Sequence, residues 1–430
     1  MSLESFRIQG GRRLEGSVRV GGAKNAVLPI LAAALLTEER VVVDNVPNLA
    51  DVSTMVGILR ELGAVVEQDR EARRVTVEAR DIEPVAPWEL VRKMRASFEV
   101  LGPLLGRFGR AEVSYPGGCV FGVRPVDVHL KGFAGLGATI ETAQGYVRTV
   151  APSERLDGGD VFLGTPFGSS VGATRNVLMA AVLARGTSRI LSAACEPEVV
   201  DLCHFLVSMG AKIEGIGSPL LTVHGVDRLS GTTHSVIPDR IEAGTYVTAG
   251  AITGGRVRVE GLVPADLAAE LDCFHRAGVA IERGPDWLET QPRDIEGERL
   301  RPTDVTTQPH PGFPTDMQAQ WMTLMCLADG VSLVTERIFP DRYMHLAELL
   351  RLGAEVRRQG SAAVVHGKPS LSGAMVMASD LRASAGLVLA GLVADGTTEV
   401  HRVYHIDRGY ERIEERLAAL GASIERVPGQ

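Results

Sequence analysis

Hydrophobic and polar positions alternate along this chain in one pattern that returns six times. An amphipathic helical stretch runs into a glycine and then a short strand: ELGAVVE, GLGATIE, SMGAKIE, RAGVAIE, RLGAEVR and ALGASIE. The glycines, Gly63, Gly137, Gly210, Gly278, Gly353 and Gly421, stand 74, 73, 68, 75 and 68 residues apart. Ahead of the first, Val52, Met55, Val56, Leu59 and Leu62 recur at helical spacing; ahead of the last, Ile413, Leu417 and Leu420 do the same. Glycine at such a stop predicts a helix C-terminus closed in the left-handed backbone region, where a Cβ would clash. An aspartate near each start (Asp51, Asp127, Asp201, Asp266, Asp341, Asp407) predicts capping of orphan N–H groups and a favourable dipole contact.

Each repeat also holds a second helix, poor in charge and rich in small residues: AVLPILAAALL, SFEVLGPLL, ATRNVLMAAVLA, AGTYVTAGAI, MQAQWMTLMCLA and ASAGLVLAGLVA. Such a helix is expected to be buried on most sides, leaving the amphipathic ones outside. Strands at Val41–Asp44, Val257–Glu260 and Ser332–Thr335 follow. The expectation is an α/β protein of six units in two pseudo-symmetric lobes, sheets outside and buried helices inside. The lobe boundary is expected near His234–Arg240, giving one domain over residues 24–237 and a second over 1–23 plus 238–430. The N-terminal FRIQGGRRLEGSVRV is expected to complete the last unit and tie the lobes together.

Composition narrows the picture. Fifty-three acidic against 45 basic residues give a net charge of −8, which disfavours a general nucleic-acid or anionic-membrane binder. The longest apolar run, Ala26–Leu36, contains Pro29 and is far shorter than the ~20 residues of a membrane span. MSLESFRIQG carries no secretory signal pattern. Five cysteines without a CxxC argue against a disulfide framework or structural zinc. These features suit a cytoplasmic, reduced protein with no metal and no cofactor.

Charged residues collect at matching places in the repeats. GGAKN (21–25) brings Lys24 to a helix start, where backbone N–H groups and an ammonium favour an anion. MRAS and LRAS place Arg95 and Arg382 before buried helices; Asp341-Arg342 and Asp407-Arg408 repeat a pair at outer-helix starts; Arg124 precedes Asp127. If the lobes face each other, these cations converge on one cleft suited to phosphates and carboxylates, which arginine binds bidentately. Cys119 lies in PGGCVFG, a glycine-rich loop five residues before Arg124, a setting that lowers a thiol pKa; the other four cysteines have apolar helical or strand settings. In FPTDMQAQ, Asp316 is a candidate N-cap, and a general base only if a substrate hydroxyl reaches it. No GxxxxGK[ST], GxGxxG after a strand, HExxH or GxSxG occurs.

GGAKN, MRAS, PGGC with RPVD, SVGAT, IPDRIE, FPTDMQAQ, DRYMH, DLRAS and HIDRGYERIE, in this order from about Phe6 to Arg426, resemble the enolpyruvyl transferase family, and within it the UDP-N-acetylglucosamine 1-carboxyvinyltransferases. The resemblance implies two inside-out α/β barrels of six βαβαββ-type units, three per domain. It implies transfer of the enolpyruvyl group of phosphoenolpyruvate to the 3′-hydroxyl of UDP-N-acetylglucosamine with release of phosphate, by addition and elimination, in the first committed step of peptidoglycan synthesis. Cys119 matches a general acid that forms an adduct with phosphoenolpyruvate and is alkylated by fosfomycin. Lys24, Arg124 and Arg408 match residues that hold the phosphate and carboxylate; Arg95, Arg342 and Arg382 match further cleft arginines. Asp316 matches the carboxylate at the sugar 3′-hydroxyl, and Asn25 and Asp380 further polar groups at the reacting centre. Arg124, Pro125, Val126, Asp127, Val128, Ser170, Val171, Gly172 and Ile338 fall where the family binds the nucleotide sugar. The family also closes its lobes on substrate. One departure stands out: some members carry lysine where this chain has Gly168, which leaves a diphosphate contact to Arg124 or Arg175. The alternatives are a 5-enolpyruvylshikimate-3-phosphate synthase, whose family pattern lacks such a cysteine loop, and a non-catalytic six-repeat scaffold, which needs neither the thiol nor the cations.

Overall fold

All six repeat glycines take the left-handed backbone conformation, with φ between 80° and 107°. In every copy the glycine N–H donates to the carbonyl three residues back and the next N–H to the carbonyl five back; Gly63 reaches Arg60 at 3.0 Å and Ala64 reaches Leu59 at 2.9 Å. This double closure turns the chain straight from helix into strand. It is one of the repeated joints in the computed structural model, which describes residues 4–92, 94–116, 126–295 and 297–429.

The chain divides into two compact units: Gly22–Ile237, and Met1–Gly21 with Pro238–Gln430. Twelve helices matter below. In the continuous unit they are α1 (Lys24–Ala33), α2 (Ala50–Glu61), α3 (Leu101–Phe108), α4 (Asp127–Gly135), α5 (Val171–Ala181) and α6 (Pro197–Ser208). In the split unit they are α7 (Arg240–Thr253), α8 (Ala268–Ala277), α9 (Gln318–Met325), α10 (Leu346–Arg351), α11 (Leu381–Val393) and α12 (Ile413–Ala419).

Among the described residues six four-stranded sheets form, three per unit, all with one topology. An edge strand runs parallel to a second strand, which pairs antiparallel with a third, and that with a fourth. In the first sheet Thr233–Ser235 lies parallel to Val41–Asp44, followed by Arg74–Glu78 and Val65–Asp69. The N-terminal stretch supplies two strands to the split unit. Ser5–Gln9 is inserted between Thr397–His401 and Ser423–Val427, and Glu15–Arg19 lies parallel to Arg256–Glu260.

The small-residue helices α1, α3, α5 pack together in one unit and α7, α9, α11 in the other. Every residue of α7 is buried. Their composition has a steric cause: a Cβ on Gly102 would lie 2.1 Å from the Asn176 carbonyl, so the helices approach backbone to backbone. The amphipathic helices bury one stripe, with Val52, Met55, Val56, Leu59 and Leu62 all within 1% of full burial. No helix among the described residues is long and apolar enough to cross a membrane.

The aspartate pattern is looser than the sequence suggests. Only Asp51 and Asp127 lie in first helical turns. Asp201 sits one turn into α6, where it accepts from His234 at 2.8 Å and the Ile237 N–H at 3.3 Å. Asp266 belongs to a 3-10 turn ahead of α8, and Asp341 and Asp407 precede α10 and α12 by several residues. Arg342 and Arg408 therefore lie in connecting turns, because 3-10 and irregular segments take up chain that periodicity assigns to the helices.

Candidate active site

In the continuous unit the expected residues gather around a buried ion pair. Lys24 opens α1, and its Nζ lies 2.6 Å from Asp51 Oδ2, both side chains almost wholly buried. Asp51 is thus a counter-ion, and a charge pair in that setting is held far more firmly than one at the surface. The Asn25 carbonyl accepts from Arg175 Nη1 at 2.6 Å, and Arg175 Nη2 meets Glu99 Oε1 at 2.6 Å. Glu99 sits in the 3-10 segment Arg95–Val100, which Arg95 begins. Burial pushes the Glu99 carboxyl up, opposed by Arg175 and then Arg95.

His129 packs into the same place, its Nδ1 3.1 Å from Asn176 Nδ2. Burial, then the charges of Arg95 and Arg175, lower its pKa to about 3, so the ring is neutral at physiological pH. Gly172 faces this group: a Cβ there would lie 3.2 Å from His129 Cε1 and 3.5 Å from Glu99 Oε1. Ser170 caps α5 by accepting the Ala173 N–H at 3.4 Å, and Val171 begins the helix. Asn25, Arg95 and Gly172 therefore meet at the Arg175–Glu99 pair, with Lys24 beside Asn25. The pair joins residues 76 positions apart, and no local motif announces it.

Arg175 gives one hydrogen bond from each terminal nitrogen, to the Asn25 carbonyl and to Glu99, while its Nε is buried without a partner. Gly168 has φ 106° in a tight hairpin, where Thr165 Oγ1 donates to its carbonyl at 2.8 Å. Val126, Asp127 and Val128 lead into α4. Cys119, Arg124 and Pro125 lie outside the described residues. The four described cysteines are free, and burial raises each thiol: Cys203 and Cys326 to about 12, Cys273 to about 11, and Cys195 upward with help from Glu196. Cys195 lies in a partly buried loop, where the sequence suggested a helical or strand setting.

In the split unit, Asp316 is the centre of a charged group. It does not cap its helix; it sits within the 3-10 turn Thr315–Met317, where Pro314 holds the cap position. Arg342 Nη1 donates to Asp316 Oδ1 at 2.7 Å and to Thr315 Oγ1 at 3.0 Å. Arg382 Nε lies 3.7 Å from Asp316 Oδ2, and Arg382 Nη2 lies 3.4 Å from Asp239 Oδ2. The Arg382 guanidinium also stacks 5.0 Å above the Tyr410 ring. Burial works against the Arg342 charge, and Asp316 and Asp380 more than restore it. Asp380 caps α11, its Oδ1 accepting the Arg382 and Ala383 N–H groups at 2.9 and 3.0 Å. Buried Glu336 accepts from the Ile338 N–H at 2.8 Å and, through its other oxygen, from Thr315 at 2.8 Å, linking Ile338 to the Asp316 turn. Arg408 ends the 3-10 segment Val403–Arg408, where it helps depress the His405 pKa after burial.

Comparison with known proteins follows this geometry. The EPSP synthase (3-phosphoshikimate 1-carboxyvinyltransferase) family model matches residues 8–417. The chain is 52% identical to a UDP-N-acetylglucosamine 1-carboxyvinyltransferase of Coxiella burnetii, over 99% of this chain and 96% of the relative. It is also 52% identical to the enzyme of that name from Novosphingobium aromaticivorans, over 99% and 100%. Among solved structures, the enolpyruvyl transferase NikO from Streptomyces tendae superimposes with a TM-score of 0.89 at 27% identity, covering both chains fully. An EPSP synthase from Acinetobacter baumannii gives 0.71 at 18% identity, covering 99% of this chain and 100% of the other, a likeness of fold.

Proposed function

The chain belongs to the EPSP synthase family, and from that premise we propose that it transfers the enolpyruvyl group of phosphoenolpyruvate to the 3′-hydroxyl of UDP-N-acetylglucosamine, releasing phosphate. The observation that carries this reading is 52% identity, at near-complete coverage, to relatives bearing that activity in their name. The three-helix centres with three sheets in each unit support reading each as an inside-out α/β barrel.

The reaction needs a base for the hydroxyl, an acid for C3 of the enol and cations for moving charge. In addition, the 3′-oxygen bonds to C2, its proton leaves, and C3 gains a proton. In elimination, C3 loses a proton and the C2–O bond to phosphate breaks. We assign the hydroxyl proton to Asp316, which is partly exposed and lies between the Arg342 and Arg382 guanidinium groups. Cys119 supplies the acid and the fosfomycin target. Lys24, with Arg124 and Arg408, binds the phosphate and carboxylate; Asn25, Arg342, Asp380 and Arg382 complete the donor's contacts. Arg95, Arg124 to Val128, Ser170 to Gly172, Asp316 and Ile338 bind the nucleotide sugar. Cations fixed before reaction lower the barrier because they do not reorganise as charge shifts. We place the protein in the cytoplasm, in peptidoglycan synthesis and hence in cell division.

The test is phosphate release from phosphoenolpyruvate. Release with UDP-N-acetylglucosamine but not with shikimate 3-phosphate supports the reading. Release with shikimate 3-phosphate alone selects the other branch of the family, and no release with either leaves the scaffold.

A further inference from the structure

His345 is 2% exposed, and neither ring nitrogen has a hydrogen-bond partner. It belongs to DRYMH, three residues after Arg342, and its backbone carbonyl starts α10 by accepting the Leu349 N–H at 2.9 Å. Asp380 has a matching deficit. Its Oδ1 is occupied by two amides of α11, while Oδ2 is buried without a partner. Buried polar atoms are almost always paired, so orphaned ones call for a cause, and an apolar side chain would fill the His345 space at less cost. The helices that these two residues start, α10 and α11, pack against each other; burial lowers the His345 pKa to about 4, Asp380 opposes that shift, and Arg342 reinforces it. The ring is therefore neutral near pH 7, with one N–H to give and one lone pair to receive.

We propose that His345 is a positioning residue for Asp380 in the transfer reaction, its N–H given to Asp380 Oδ2 and its other nitrogen accepting from a bound water when the site is loaded. This rests on the transferase reading above. Asp380 adjoins Arg382, which meets Asp316, so a carboxylate fixed at both oxygens keeps the start of α11 and its arginine in place. His345 itself touches no reacting atom.

The test uses the full chain with His345→Leu, which fills the space without a polar atom, and His345→Gln, which keeps a donor and an acceptor. In His345→Leu we expect kcat to fall by about tenfold or more, the scale of a misplaced reacting group, with KM for UDP-N-acetylglucosamine within about twofold. His345→Gln should recover to within about threefold of wild type, both variants melting cooperatively. Wild-type kcat in His345→Leu, or equal losses in the two variants, overturns the proposal. If His345→Leu does not fold, the imidazole 15N resonances of the wild-type chain decide: a shift to hydrogen-bonded values on adding UDP-N-acetylglucosamine supports it, and unmoved resonances overturn it. A wild-type chain that releases no phosphate removes the transferase reading and this proposal together; a working wild type with an indifferent His345→Leu removes the proposal alone.

Discussion

Replacing Asp316 by asparagine removes one charge from between two arginines with little change of volume. The Arg342 and Arg382 side chains are 7% and 2% exposed, while Asp316 is 24% exposed. Breaking a wholly buried ion pair costs about 3–5 kcal/mol. Here water reaches the carboxylate, Arg342 keeps Thr315, Arg382 keeps Asp239, and asparagine still accepts a hydrogen bond. We therefore expect about 1–2 kcal/mol of lost stability. At about 2–4 °C per kcal/mol for a unit of this size, Tm falls by about 2–8 °C. The effect on rate is larger, because loss of a general base costs about 100- to 10,000-fold in kcat. Differential scanning calorimetry and a phosphate-release assay at a temperature well below Tm separate the two effects. An Asp316→Asn variant that melts lower yet turns over at the wild-type rate would make the carboxylate a structural counter-ion and refute its role as base.

Three further outcomes follow from particular side chains. Burial, against Arg416, raises the Glu242 carboxyl from 4.5 to about 7, so the folded chain keeps a proton that the unfolded chain releases. Stability should fall as pH rises from about 4.5 to 7, and Glu242→Gln should flatten that slope; equal slopes in scans across the range would contradict it. Gly168→Lys introduces the residue that the family resemblance suggests there, but a lysine at φ 106° is strained, and Tm should drop by about 2–8 °C, for roughly 1–2 kcal/mol; an unchanged Tm would show that the hairpin relaxes freely. Fosfomycin with UDP-N-acetylglucosamine should add one inhibitor mass, on Cys119, because the four described thiols are held protonated; a peptide map with the label on Cys195 or Cys273 would sink that assignment.

What the sequence makes legible is whatever repeats locally. The glycine stops, the buried small-residue helices and strands such as Val41–Asp44 follow from spacing and composition. Partners far apart in the chain do not. Arg382 and Asp239 are separated by 143 positions, Arg175 and Glu99 by 76, and only folding brings them together. Asp51 reads as a cap because its helix start is visible, while the lysine that claims it comes from another element. Asp316 reads as a cap for the same reason, and the proline before it moves the turn by two residues. The likeness of motifs supplies roles for these residues. It supplies no role for Glu99, His129 or His345, although His345 closes the DRYMH motif.

The strand Ser5–Gln9 occupies an interior slot of a sheet whose last strand follows 418 positions later, as the pairing of Arg7 with Glu425 records. During translation at about 5–20 residues per second, the early strand waits roughly 20–80 s before its final neighbour exists. The continuous unit, by contrast, has all its strands once Ser235 has left the ribosome. Biogenesis is thus ordered by topology: one half matures while the other still holds an unpaired edge, and that interval is when chaperones or premature self-association would act on this chain.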